Sequence, residues 1–330
     1  MKAATRSFTG WAVFIALLAA CTAAATAIAA DVARPSTVTY MVIPHPDDEF
    51  QAWSLIEDDP DDYTVFILLT RGEETGFCNP ETYESSGYQP GVELPASPEP
   101  TGKWTESCED ARLNSFTRYF TDMSAHDPTI PGDFGQPTVA GPFPEEGAHP
   151  CRDDDGVECA HSNATAEVWL DELERGAIVA FDLGDGDLTE AEVVWAVSSV
   201  LDDPSLVGVD DSRSSAGVIG TFANIDELCT RYPHPDHVAV HDALWTVDFG
   251  AGFQAAATCG LDVRQSLAGI VSDSGAEAAF SESSTPDGMV TTGAHNRNYG
   301  WLHQAQYPLD RYQQFSLFHT HQYFWVRFNG

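Results

Sequence analysis

Thr37–Glu49 reads TVTYMVIPHPDDE. Its first seven residues are apolar and β-branched without polar alternation, the pattern of a strand buried on both faces. Pro44-His45-Pro46-Asp47-Asp48-Glu49 then breaks the run, and Phe50–Ile56 follows with helical spacing. Outward from this stretch the same pattern recurs. Tyr63–Thr70 (YTVFILLT), Ala177–Leu183 (AIVAFDL) and Gly217–Ala223 (GVIGTFA) read as further buried strands. Helices are expected over Glu106–Met123, over Thr189–Leu201 with Thr189 and Glu192 in capping-box spacing, and from Asp236 to about Phe249. Buried strands alternating with helices predict an α/β, Rossmann-like fold: a mostly parallel sheet flanked by helices.

The 330 residues hold 15 Lys+Arg against 51 Asp+Glu, a formal charge of −36, and 43% are hydrophobic. That apolar content belongs to a globular chain, since acidic disordered segments lack it. The charge excludes a nucleic-acid binder, which needs a basic face to neutralise phosphates, and electrostatic docking on an anionic membrane. Residues 1–30 contain Lys2 and Arg6, no acid, and an apolar run from Trp11 to Ala20. They read as a signal peptide, which predicts a secreted or cell-surface protein. Ala27-Ile28-Ala29 offers a cleavage site for free secretion. Leu18-Ala19-Ala20-Cys21 offers a lipobox that would anchor the protein through Cys21. The Ala-rich stretch after Cys21 favours free secretion. No transmembrane helix is expected in the mature chain.

Cys78, Cys108, Cys151, Cys159, Cys229 and Cys259 remain after the signal segment, an even number that suits disulfides in an exported chain. Pairing is not readable from sequence; Cys151 with Cys159 is the simplest guess, and a zinc site on His149, Cys151, Cys159 and His161 is its rival. The long stretches near 71–105 and 125–165 are expected to be loops that carry disulfides or cover a site.

The tripeptide His-Pro-Asp occurs twice, in His45-Pro46-Asp47-Asp48-Glu49 and in His234-Pro235-Asp236-His237. Each follows an apolar strand and opens a helix, so both belong at the carboxyl edge of a parallel sheet, where ligands bind. His45 and Asp48, three apart, can converge on one ion, and a histidine from the second motif would complete a two-His, one-carboxylate site. Asp47 is then left beside the metal, free to take a proton from water. A plain helix N-terminus explains Pro46 and its acids. It explains neither His45 nor the second motif. His241, four after His237, is a minor alternative ligand, and His319 and His321 form a lone H-x-H pair. Asp185-Gly186-Asp187 with Glu192 resembles half a calcium loop, but Phe181 and Leu183 occupy positions that need oxygen ligands.

Pro44–Glu49 and His234–His237 together resemble the PIG-L/LmbE-like family of zinc-dependent N-acetylglucosaminyl de-N-acetylases. Thr70-Arg71-Gly72-Glu73 is similar to the family's T-x-G-E turn after its second strand. The resemblance covers roughly residues 37–250 and implies one de-N-acetylase-like domain over 31–330, with 251–330 as a C-terminal region that shapes the substrate site. It implies Zn2+, with Fe2+ as an alternative, on His45, Asp48 and His237. It further implies Asp47 as general base, His234 as general acid or oxyanion stabiliser oriented by Asp236, and Tyr232 near the substrate. The family's helical Arg-x-x-Glu has no clean match in Glu106–Arg112, so Arg71 and Arg112 are both candidates for the assisting arginine. The implied substrate is a small molecule or oligosaccharide bearing N-acetyl groups. Two other readings stand beside this one: a secreted glycan-binding relative without activity, and an amidase on another N-acylated small molecule. The aromatic residues from Tyr299 to Trp325 suit stacking on sugar rings or an ordinary core.

Overall fold

The structure, a computed structural model, describes residues 34–79, 98–143, 150–152, 158–160, 165–210, 212–223, 232–258, 266–280, 282–284, 290–299 and 321–329. The expected signal segment, Cys21, Cys229, Cys259 and His319 lie outside them. The described residues from Pro35 onward belong to one compact unit.

Five parallel strands form the heart of the sheet. They are β1 (Thr37–Ile43), β2 (Asp62–Leu68), and the strands numbered β7 (Gly176–Ala180), β8 (Ser214–Gly220) and β9 (Phe253–Thr258) in chain order. Their spatial order is β7-β2-β1-β8-β9. β1 pairs in parallel with β2 on one side and β8 on the other. The chain therefore builds outward from β1 through β2 to β7, then returns to lay β8 against β1. That reversal leaves a crevice beyond the carboxyl ends of β1 and β8, the place where open α/β sheets bind ligands. β3 (Thr138–Ala140) and β6 (Ala166–Leu170) extend one edge antiparallel. β10 (Ser266–Ile270) and β13 (His321–Phe328) extend the other, giving nine strands. β4 (Pro150–Arg152) and β5 (Glu158–Ala160) form a separate hairpin, as do β11 (Glu282–Ser284) and β12 (Val290–Thr292).

The unbroken apolar runs follow from burial on both faces. Met41 and Ile43 of β1 enter one core with α1 (Glu106–His126), while Val38, Tyr40 and Val42 enter the other with α2 (Glu190–Asp202) and α3 (Pro235–Thr246). The capping box at Thr189 and Glu192 is present. Glu49–Leu55 is a 3₁₀ helix rather than an α-helix. A three-residue turn places Phe50 and Trp53 one above the other, and their rings stack at 5.7 Å inside the core. Two hydrogen bonds from Gln322 of β13 fasten this turn: its Nε2 donates to Phe50 O at 2.6 Å, and its Oε1 accepts from Ser54 N at 2.9 Å.

Residues 253–328 contribute three strands to the same sheet, so this C-terminal region is structural as well as whatever it does at the site. β9 was not legible as a strand because FQAAAT is alanine-rich. The alanines leave room for β13, whose Trp325 and Phe324 lie opposite Ala256 and Ala257. Tyr299 is fully buried in the core, which removes it from sugar stacking.

The disulfide among the described residues joins Cys78 to Cys108, a pair not singled out from the sequence. Cys151 and Cys159 are opposite one another on β4 and β5, as a short loop requires, but their side chains lie outside the described residues. Cys78 and Cys108 are buried, and their bond fastens the segment after β2 to the first turn of α1, where Thr105 caps Cys108 N. No helix among the described residues is long and apolar enough to cross a membrane. The bridge spans a separation of 30 residues. The double variant Cys78→Ser/Cys108→Ser should therefore lose about 2–4 kcal/mol of stability, read as a lower denaturation midpoint. An unchanged midpoint would contradict a structural role.

Candidate metal centre

Both His-Pro-Asp motifs sit at the crevice. The first follows β1 directly, and its turn is held by Thr70 Oγ1, which donates to Pro44 O at 2.8 Å. The second opens α3. Pro235 occupies the first helical turn, and His234 before it is extended, as a residue preceding proline prefers. His237, one turn in, is fully buried.

Two ring nitrogens converge on one carboxylate oxygen. His45 Nδ1 and His237 Nε2 each lie 3.1 Å from Asp48 Oδ2. The opposite nitrogen of His237, Nδ1, is 2.5 Å from Phe222 O. Nδ1 therefore donates to that carbonyl, which turns Nε2 toward Asp48. Nε2 is buried and makes no aligned hydrogen bond despite its closeness to Asp48. Two imidazole nitrogens converging on one buried carboxylate oxygen are a donor set suited to a metal ion. The buried set His45, Asp48 and His237 can thus hold a metal ion. The rest of Asp48 is already satisfied: Gln51 Nε2 donates to its Oδ1 at 2.6 Å, and Gln51 Oε1 accepts from Phe222 N at 2.6 Å.

The other nitrogen of His45, Nε2, lies 2.9 Å from Asp236 Oδ2 and 3.0 Å from Asp185 Oδ1. Asp236 also accepts from Gly186 N and Leu188 N at 2.9 and 3.0 Å. This is the carboxylate–histidine arrangement that orients a metal-binding imidazole. A second metal-capable set, His45, Asp185 and His234, shares His45, but His234 is only partly buried. The first set is the better built, because its three donors are all buried and the Nε2 side of His45 is already occupied by Asp236.

Asp47 stands beside the set with its side chain 16% exposed. Its φ is 106°, a left-handed conformation rare for a residue with a side chain. Arg112 Nη2 donates to Pro46 O at 2.7 Å and lies 3.4 Å from Asp47 Oδ1. The guanidinium passes over Gly72, where φ is +68° and any Cβ would collide with it. Burial pushes the Asp47 carboxyl up to about 7, with Arg112 opposing. Burial also opposes charge on Asp48, but His237 and His45 hold it far below the usual carboxylate range. At His45 burial disfavours the cation, yet the carboxylates of Asp185, Asp236 and Asp48 hold its pKa well above the ordinary value. His234 is lowered by burial and by its neighbour His45, with Asp236 pulling the other way.

The expected site residues therefore meet, with changed partners. Asp236 hydrogen-bonds His45 rather than orienting His234. Tyr232 packs against both histidines of the second motif, 4.7 Å from the His237 ring and 6.2 Å from that of His234. Of the two arginine candidates Arg112 reaches Asp47, while Arg71 pairs with Glu167 at 2.8 Å. His241 is enclosed by Thr221 O, Ala223 N and Trp325 Nε1, which take up both its nitrogens. His321 lies on β13 beside Tyr323. Asp185 was missed. Its signal was the pair of glycines around it: Gly184 and Gly186 both have positive φ, the tight turn that presents Asp185 to His45. Gln51 and His295, which meets the motif from the distant C-terminal region, carried no local signal. Comparison with protein-family models, with curated proteins and with solved structures gave no match.

Metal uptake should be stoichiometric and should be lost in His237→Ala, measured by elemental analysis. Asp47 and His45 hold protons more firmly than free side chains in the metal-free protein. Uptake near pH 7 should therefore release protons, seen by calorimetry in buffers of different ionisation enthalpy. Retained metal in His237→Ala would contradict the ligand set, and uptake without proton release would contradict the charge pattern.

Proposed function

We propose that the chain is a metal-dependent hydrolase that removes the acetyl group from an N-acetylated sugar of the N-acetylglucosamine type, in the manner of the PIG-L/LmbE-like de-N-acetylases its motifs resemble. The observation that carries this reading is Asp47: a carboxylate next to the His45–Asp48–His237 set, outside it, and only partly buried. A binding protein has no use for a strained, partly buried carboxylate at that position.

A divalent ion on those three residues, zinc in this reading and ferrous iron as the alternative, would supply Lewis acidity and acidify a water molecule. Asp47 accepts the proton of the attacking water, and Arg112 keeps its carboxylate ionised and directed. The water oxygen bonds to the acetamide carbon, the carbon–nitrogen bond breaks, and the nitrogen leaves with a proton as a free amine beside acetate. His234, at the mouth between His45 and Tyr232, donates its ring N–H to the developing oxyanion. Burial lowers its pKa, which favours the neutral ring N–H as that donor. Tyr232 walls the same side. Residues 1–30 support export, and the charge of −36 supports neutral sugars over anionic, phospholipid-linked ones.

The test is acetate release from a panel of neutral and anionic N-acetylated sugars, with and without chelator. Activity should fall with chelator, return with zinc, and drop by about 10²-fold or more in Asp47→Asn with metal content intact. The working base is the ionised carboxylate, so kcat/KM should rise with pH. Its midpoint should fall below the value of about 7 that burial imposes without metal, because a cation favours the charged form. Chelator-insensitive turnover, or full activity in Asp47→Asn, would sink this mechanism. Metal binding and sugar binding without acetate release would indicate the glycan-binding reading.

A further inference from the structure

We infer that Glu49 and His295 form a clamp on the Asp47 main chain and act as positioning residues for the base, an inference that rests on Asp47 being that base. The Asp47 N–H donates to Glu49 Oε2 at 3.1 Å. The Asp47 carbonyl accepts from His295 Nε2 at 3.4 Å. Both holders are fully buried. The preceding carbonyl, Pro46 O, accepts from Arg112. The peptide groups on both sides of Asp47 are thus gripped at the residue whose φ of 106° is sterically disfavoured.

The position of His295 is decided away from the site. It lies on a short helix, α4 (Ala294–Asn298), 248 residues beyond Asp47. Asn298 Nδ2 and Arg297 Nε both donate to Asp122 Oδ2 of α1, at 2.6 and 2.9 Å. Gly293, just before the helix, packs so tightly on the Ala279–Phe280 backbone that no Cβ fits. The His295 ring is set by Tyr299, Phe280 and Tyr119, at 4.9, 5.0 and 6.0 Å. The C-terminal region therefore delivers one donor to the carbonyl of the base. Without it, Asp47 would relax toward negative φ, and its Cβ would turn away from Arg112 and from the metal set.

The experiment compares wild type with His295→Ala, His295→Gln and Glu49→Gln. It reads kcat, KM and zinc content, and a crystal structure of His295→Ala reads the Asp47 φ. His295→Ala should lose roughly 10–100-fold in kcat with KM and zinc near wild type. Gln at 295, which keeps an N–H donor, and Gln at 49, which keeps an acceptor, should recover most of the rate. The Ala variant should show Asp47 at negative φ. A kcat in His295→Ala within about twofold of wild type overturns the clamp, as does an unchanged Asp47 φ. Should His295→Ala fail to fold, Asp122→Ala loosens α4 from a half-exposed position, and an unchanged kcat there overturns the clamp equally. If wild type releases no acetate from any substrate, the de-N-acetylase reading falls, and the clamp is judged on the Asp47 φ alone.

Discussion

The contact of 2.9 Å between His45 Nε2 and Asp236 Oδ2 joins residues 191 apart and is the hinge pin of the site. It ties the turn after β1 to the first turn of α3. It also fixes which nitrogen of His45 faces Asp48. Because Asp236 is itself held by Gly186 N and Leu188 N, the loop after β7 is drawn into the same joint. Three carboxyl ends of parallel strands are thereby locked together through one imidazole. Removing Asp236 would leave His45 with Asp185 as its remaining Nε2 carboxylate and free the loop after β7 from α3.

Such a joint costs stability on its own. Ionised groups taken from water into a buried crevice are paid back only when every lone pair and proton finds a partner. Gln51, Phe222 O and the loop amides supply those partners. The two imidazole nitrogens that converge on one Asp48 oxygen are what make this polar cluster metal-capable. The two apolar cores on either face of the sheet offset the cost. At this crevice Asp47 holds a φ of 106°, rare for a residue with a side chain, and Gly72 and Gly186 take positive φ in the neighbouring turns.

The fold class and the centre of the site were legible because both rest on local patterns. A strand buried on two faces needs an uncharged, largely apolar and β-branched run, and TVTYMVI is one. Two histidines and an aspartate in two His-Pro-Asp turns must meet if the strands before them are neighbours, and β1 and β8 are. What was not legible depends on distant chain. Ala-rich β9 reads as strand only once the aromatics of β13 cover it. Asp185 looked like a failed calcium loop until His45 lay against it. The Cys78–Cys108 pair was hidden because the segment before α1 is brought back by the sheet. The roles of Asp236 and Arg71 changed because proximity in sequence said nothing of their nearest partners in space. The charge of −36 set the choice of partner class and left the mechanism to the few carboxylates beside the histidines.

The most direct test of the central claim is anomalous diffraction from crystals of the zinc-loaded protein. One strong peak is expected, enclosed by His45 Nδ1, Asp48 Oδ2 and His237 Nε2 at about 2.0–2.2 Å from each, with Asp236 still on His45 Nε2. A peak bound instead by His45, Asp185 and His234, or no peak at the crevice, would contradict it.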